Sequence, residues 1–173
     1  MSEFAPEWLD LREPADLRAR SSDVANAVSA RFALRDDVSV LDLGSGTGSN
    51  LRATAPLLPH RQSWKLIDHD AGLQEVAKAR LGAWADAAEF SDDGLHLRKD
   101  GREIDVTFVV ADLASETAHL LEQPLHLVTA SAFFDLTSPD YIRALAKGVA
   151  ERRIAFYATL TYNGQRRWTP HRP

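Results

Sequence analysis

Apolar positions along this chain switch repeatedly between two periods. Leu17, Val24, Val28 and Phe32 recur near helical spacing behind Pro14, which predicts a first helix over about Ala15 to Phe32. The run Val38-Ser39-Val40-Leu41-Asp42-Leu43 is almost continuously apolar and predicts a buried strand. It stops at Gly44-Ser45-Gly46-Thr47-Gly48, and Ser49 to Ala55 leaves room for one short helix before Pro56 and Pro59 remove backbone donors. Ser63 to Asp68 predicts a second strand, and Asp70 is placed to cap a helix carrying Leu73, Val76, Ala77, Arg80 and Trp84. Leu95 to Lys99 and Arg102 to Val110 flank Asp100-Gly101, a dipeptide favoured by type I′ turns, and predict a hairpin. Leu125 to Ala130 and Ile154 to Thr161 predict two more strands, separated by a helix that Ser138-Pro139-Asp140 starts.

Strands that alternate with helices imply right-handed crossovers and an α/β fold. The expectation is a doubly wound, mostly parallel Rossmann-like sheet of about five main strands plus a small hairpin. No repeat, low-complexity tract or Gly/Ser linker divides the sequence, so residues 1–173 are expected to form one domain. Its parts are an N-terminal helical segment of about 1–34, a core of about 35–161 and a short tail, 162–173.

Charge narrows the partners. Twenty Lys and Arg stand against 25 Asp and Glu, a net charge of −5 that argues against a broad phosphate-binding face and hence against nucleic acid. No apolar run approaches the roughly 20 residues of a membrane span, and the acidic N-terminus lacks the pattern of a secretory signal, so no membrane partner and a cytoplasmic location are expected. The absence of cysteine excludes thiolate metal sites and cysteine nucleophiles, and the six histidines form no paired ligand motif, so no metal is expected.

The glycine loop carries the chemistry. In a doubly wound sheet, ligands sit beyond the carboxyl ends of the strands, where strand order reverses, and the loop follows the first strand. Glycines there let the backbone turn sharply and approach a ligand without an intervening Cβ. The spacing Gly44-x-Gly46-x-Gly48 places Ser49 where a dinucleotide fingerprint has its third glycine, and no Gly-Lys-Ser/Thr follows, so NAD and nucleoside triphosphates fit poorly.

The run Val40-Leu41-Asp42-Leu43-Gly44-Ser45-Gly46-Thr47-Gly48 closely resembles the first motif of class I S-adenosylmethionine-dependent methyltransferases. The stretch from Trp8 to Asp16, the continuation Gly48-Ser49-Asn50-Leu51-Arg52 and the run Ala130 to Leu136 resemble a bacterial group of small members of that family. The resemblance implies S-adenosyl-L-methionine as cofactor, with S-adenosyl-L-homocysteine as product. It places Gly44, Ser45 and Gly46 under the methionyl and ribose portion, Asp68 on the ribose hydroxyls, and Asp112 and Leu113 at the adenine. Asp42 is expected to scaffold the loop through backbone N–H groups or to meet the cofactor ammonium through water. Asn50 and Ser131 complete the expected cofactor set, and His69 lies over the cofactor edge or is an exposed helix-entry residue. One of Arg12, Arg18 and Arg20 is a candidate clamp for the cofactor carboxylate.

The same resemblance leaves the acceptor open. In the loop Ser131-Ala132-Phe133-Phe134-Asp135, Asp135 is a candidate for the catalytic base. The Pro-Pro-aromatic motif of nucleic-acid amino methyltransferases is absent, as are the paired glutamates of protein-arginine methyltransferases, which leaves a small-molecule acceptor. The alternative is a non-catalytic S-adenosylmethionine-binding module or truncated fragment. The complete fold of the family has seven strands, and only Tyr162 to Pro173 follow the fifth expected here. The chain is therefore expected to lack the usual sixth and seventh strands, leaving a bare C-terminal sheet edge through which two copies can pair.

Overall fold

The computed structural model describes residues 5–92 and 94–160. The short tail, 162–173, lies outside the described residues.

Two helices precede the sheet, where the pattern predicted one. Helix α1 spans Pro6–Ala19 with Pro14 inside it, and α2 spans Ser22–Phe32. Between them Arg20 and Ser21 are extended (ψ 135° and 122°), and the Ser21 hydroxyl accepts the Val24 N–H, so a side-chain cap restarts the helix where a continuous one was expected.

The strands are β1 (Asp37–Leu43), β2 (Arg61–Asp68), β3 (Ala87–Ser91), β4 (Gly94–Lys99), β5 (Arg102–Val110), β6 (Leu127–Ser131) and β7 (Ala155–Thr159). They form one sheet in the order β3-β4-β5-β2-β1-β6-β7. This overturns the expectation of about five main strands without a sixth and seventh: the sheet has seven strands, and β6 and β7 close its C-terminal side. Strands β5, β2, β1, β6 and β7 run parallel, while β3, β4 and β5 form an antiparallel meander. The predicted hairpin is thus an integral part of the sheet. Its turn has φ of 48° at Asp100 and 74° at Gly101, both positive as a type I′ turn requires.

The crossovers are α3 (Ser49–Thr54) with a following 3-10 turn, α4 (Ala71–Trp84), α5 (Leu113–Leu120) and α6 (Pro139–Glu151). Asp70 caps α4 by accepting the Gly72 and Leu73 N–H groups, and Ser138 caps α6 through Tyr141. Two apolar cores lie on opposite faces of the sheet. One gathers Val38, Val40, Leu51, Trp64, Leu66 and Leu81; the other gathers Leu41, Leu43, Ile67, Val128, Ala130 and Leu145. Strand period two sends Val38, Val40 and Asp42 to one face, and likewise Trp64, Leu66 and Asp68. Both acids therefore end their strands on the face covered by α3 and α4. Among the described residues, no helix is long and apolar enough to cross a membrane.

Helix α1 buries none of its residues. Side chains hold it instead: Glu13 accepts Arg52 at 2.6 and 3.1 Å, and Asp10 pairs with Arg80.

Candidate functional site

Strand order reverses at β1, between β2 and β6, and a cavity of about 480 Å³ opens there beyond the carboxyl ends of the strands. The glycine loop forms its floor. The Ser45 N–H donates to the Ile67 carbonyl and the Gly48 N–H to the Ser45 carbonyl, both at 2.9 Å, which folds the loop back over the end of β2. Gly44 has a φ of 66°, and a Cβ there would stand 2.5 Å from Cδ2 of Phe133. Glycine is therefore required twice over, for the backbone turn and for the ring lying on it.

Asp68 sits in the cavity wall at only 5% exposure. Its Oδ2 accepts the Gly46 N–H at 2.8 Å and its Oδ1 accepts the Asp70 N–H at 3.0 Å. A carboxylate offers about four lone-pair positions, so two backbone donors leave capacity for a ligand's hydroxyls. His69 Nδ1 lies 3.4 Å from Oδ1, on a side chain that is largely exposed.

Asp42 lies fully buried beneath the loop. Its Oδ1 accepts Asn50 Nδ2 at 2.7 Å, and the same amide donates to Thr129 Oγ1 at 3.1 Å. Arg20, from the extended break between α1 and α2, donates to Asn50 Oδ1 at 3.0 Å and to Ser131 Oγ at 3.2 Å. Burial pushes the Asp42 carboxyl up to about 7, against the Asn50 hydrogen bond and the Arg20 charge, while the Asp68 charge adds to the rise. Among the described residues, Asp42 Oδ2, Ser45 Oγ and Arg20 Nε and Nη1 are buried without a hydrogen-bond partner.

Asp42 thus scaffolds through a side chain, not through the loop amides expected for it; the loop amide of Gly46 goes to Asp68. Of the other residues singled out from the sequence, Gly44, Ser45, Gly46, Asp68, His69, Asp112, Leu113 and Ser131 all line the cavity. Asn50 lies under it in the buried network. Asp112 is exposed at the rim, where its N–H donates to Glu116 Oε1 at 3.1 Å, and Leu113 opens α5. Asp135 is exposed on a 3-10 turn and is not among the residues that line the cavity. Arg12 lines the cavity, Arg20 lines an adjoining one of about 270 Å³, and Arg18 lines neither.

Several lining residues were given no individual role from the sequence. Trp8, Leu9, Glu13 and Asp16 come from α1, and Leu136 and Tyr141 from the segment after β6. Ala132 turns that segment at a φ of 53°, a conformation costly for a residue with a Cβ and one that concentrates at functional sites. Its N–H is held by the Thr159 carbonyl at 3.0 Å. Among the described residues, no group of three His, Cys, Asp or Glu side chains is arranged to hold a metal ion.

No protein-family model and no curated protein sequence matches the chain. Solved structures do. An arsenic(III) S-adenosylmethionine methyltransferase from Chlamydomonas reinhardtii is 24% identical with a TM-score of 0.50, over 83% of this chain and 45% of that one. An amino pentose methyltransferase from Micromonospora echinaspora, solved with S-adenosylmethionine bound, is 19% identical at 0.47, over 87% and 52%. A precorrin-6y C5,15-methyltransferase from Geobacter metallireducens is 18% identical at 0.45, over 78% and 57%. The chain spans about half the length of these proteins. What it shares with the Chlamydomonas enzyme is the fold, the α/β fold of class I S-adenosylmethionine-dependent methyltransferases.

Proposed function

We propose that this chain is an S-adenosylmethionine-dependent methyltransferase acting on a small-molecule acceptor. The observation that carries the reading is Asp68, a nearly buried carboxylate at the end of β2, tied to the loop amide of Gly46 and facing the cavity. Two vicinal ribose hydroxyls are donors that such a carboxylate can accept together, through charge-assisted bonds.

The remaining residues fit the same cofactor. Gly46 puts no side chain of its own on the floor, and the buried Ser45 hydroxyl has no partner among the described residues. Asp112 and Leu113 line the same cavity and are the residues assigned to the adenine. The cofactor supplies a methyl carbon on a positively charged sulfur, a good leaving group, so the protein's contribution is placement and exclusion of water. Helix α1 covers the cavity, and the Asp42–Asn50–Arg20 network holds its floor.

Isothermal calorimetry tests the reading. Saturable binding of S-adenosylmethionine and S-adenosylhomocysteine near micromolar, roughly −8 kcal/mol, with none for NAD is the expected outcome. Binding of NAD alone, or of none of the three, overturns it. Cofactor binding without turnover of any acceptor would favour the non-catalytic module.

A further inference from the structure

The sides of the cavity built by α1 and by the segment after β6 carry aromatic rings, and the charges that α1 brings there are already paired. Phe133 lies on Gly44 and is held edge-on by two other rings, Phe134 at 5.4 Å and 68° and Tyr141 at 5.9 Å and 77°. A ring locked in this way is pre-organised for contact. From α1, Arg12 donates to both oxygens of Asp16 at 2.7 and 3.2 Å while its guanidinium lies 4.8 Å from the Trp8 ring. Glu13 is likewise engaged by Arg52. Trp8, Phe133 and Tyr141 all line the cavity.

A carboxylate or an ammonium brought there would have to break an existing ion pair or stay unmatched in a partly dry site, and both options penalise binding. A neutral ring meets no such penalty and gains edge or offset contacts with fixed aromatics. We propose that the methyl acceptor is a small, neutral aromatic molecule received among Trp8, Phe133 and Tyr141, which line the cavity, an inference that rests on the methyltransferase reading above. In the transfer, the acceptor's heteroatom gains the methyl carbon, the carbon–sulfur electron pair stays on sulfur, and the acceptor's proton passes to water.

Ligand-observed NMR on the full chain saturated with S-adenosylhomocysteine tests this directly, with phenol, indole, benzoate and hexylamine as probes. Phenol and indole should bind at least about tenfold more tightly than benzoate or hexylamine. Trp8→Leu should weaken indole about fivefold or more while leaving S-adenosylhomocysteine within about twofold, and Phe133→Leu should weaken indole as well. With S-adenosylmethionine in place of the product, release of S-adenosylhomocysteine should follow the same order of acceptors. A preference for benzoate or hexylamine, no binding of either neutral ring, or indole binding unchanged in both variants overturns the inference alone. Loss of S-adenosylhomocysteine binding by the unmodified chain, seen before any probe is added, overturns the methyltransferase reading and the inference with it.

Discussion

The Asp68 carboxylate accepts the Gly46 backbone N–H at 2.8 Å, so the acid that ends β2 also closes the glycine loop that ends β1. Ligand recognition and loop architecture are thereby joined in one side chain. Asp68→Asn keeps a carbonyl oxygen for one backbone donor but gives up the charge. It should weaken S-adenosylhomocysteine by about 1.5–3 kcal/mol, the range for hydrogen bonds to a charged group. Asp68→Ala removes the acceptor of a loop amide altogether and should lower the ligand-free melting temperature as well. Calorimetry and thermal melts on the two variants separate these roles; unchanged affinity in both would remove Asp68 from the binding site.

Burial of Asp42 makes stability depend on pH with a definite sign. Its folded-state value of about 7 lies above the ordinary 3.8, so the folded chain holds a proton that the unfolded chain releases, and stability falls as pH rises from about 4 to 7. The full effect is on the order of 4 kcal/mol. His126, which burial and the Arg35 charge push down, acts in the opposite sense: the stability it contributes is lost as pH drops through its unfolded value of 6.5. Comparison with Asp42→Asn isolates the aspartate. The melting temperature of that variant minus that of the unmodified chain should rise with pH between 5 and 7, and parallel curves would show that Asp42 does not titrate there.

The glycine loop, its place after the first strand and the acids at Asp68 and Asp112 were legible because each rests on local order: a strand period, a turn residue, a strand end. What was not legible depended on partners distant in sequence. Ala87-Ala88-Glu89-Phe90-Ser91 has no β-branched residue and no clean alternation, and β3 exists because β4 offers it a ladder from Ala87 opposite Arg98 to Ser91 opposite Gly94. Helix α1 shows no apolar stripe, since what holds it is ionic and Glu13 meets Arg52 across 39 residues. Asp42 and Asp68 are both acids near strand ends, and the expected roles were the loop amides or the cofactor ammonium for Asp42 and the ribose for Asp68. Which of them reaches a loop amide is set by how the loop folds over β2, a property of the assembled sheet.

Gly44→Ala tests the contact between loop and ring. The backbone φ of 66° costs an alanine roughly 1–2 kcal/mol. The Cβ at 2.5 Å from Phe133 adds a clash that only movement of the ring relieves. In urea denaturation the substitution should therefore cost more in the unmodified chain than in a Phe133→Ala background, with a coupling of about 0.5–3 kcal/mol. Strict additivity would mean that the ring swings clear without strain.

Salt should loosen α1 selectively. The helix buries no residue, so its attachment depends on Glu13 with Arg52, Asp10 with Arg80, and the reach of Arg20 to Asn50 and Ser131. Exposed pairs contribute only about 0–1 kcal/mol each, and at 1 M salt the screening length falls to roughly 3 Å, so a helix held by a few of them stands near the threshold of release. The strands β1 and β2 are fastened by a ladder and two apolar cores and are indifferent to screening. Amide hydrogen exchange at 1 M sodium chloride should accelerate in residues 6–19 and not in 37–43 or 61–68. Arg52→Gln should produce the same local acceleration at low salt, because it removes both hydrogen bonds to Glu13, along with the one that Arg52 donates to the Thr47 carbonyl. Because Trp8, Arg12, Glu13 and Asp16 wall the cavity, the same conditions should speed dissociation of bound S-adenosylhomocysteine. Exchange in α1 that ignores both salt and the substitution would show that the ion pairs do not hold the helix over the site.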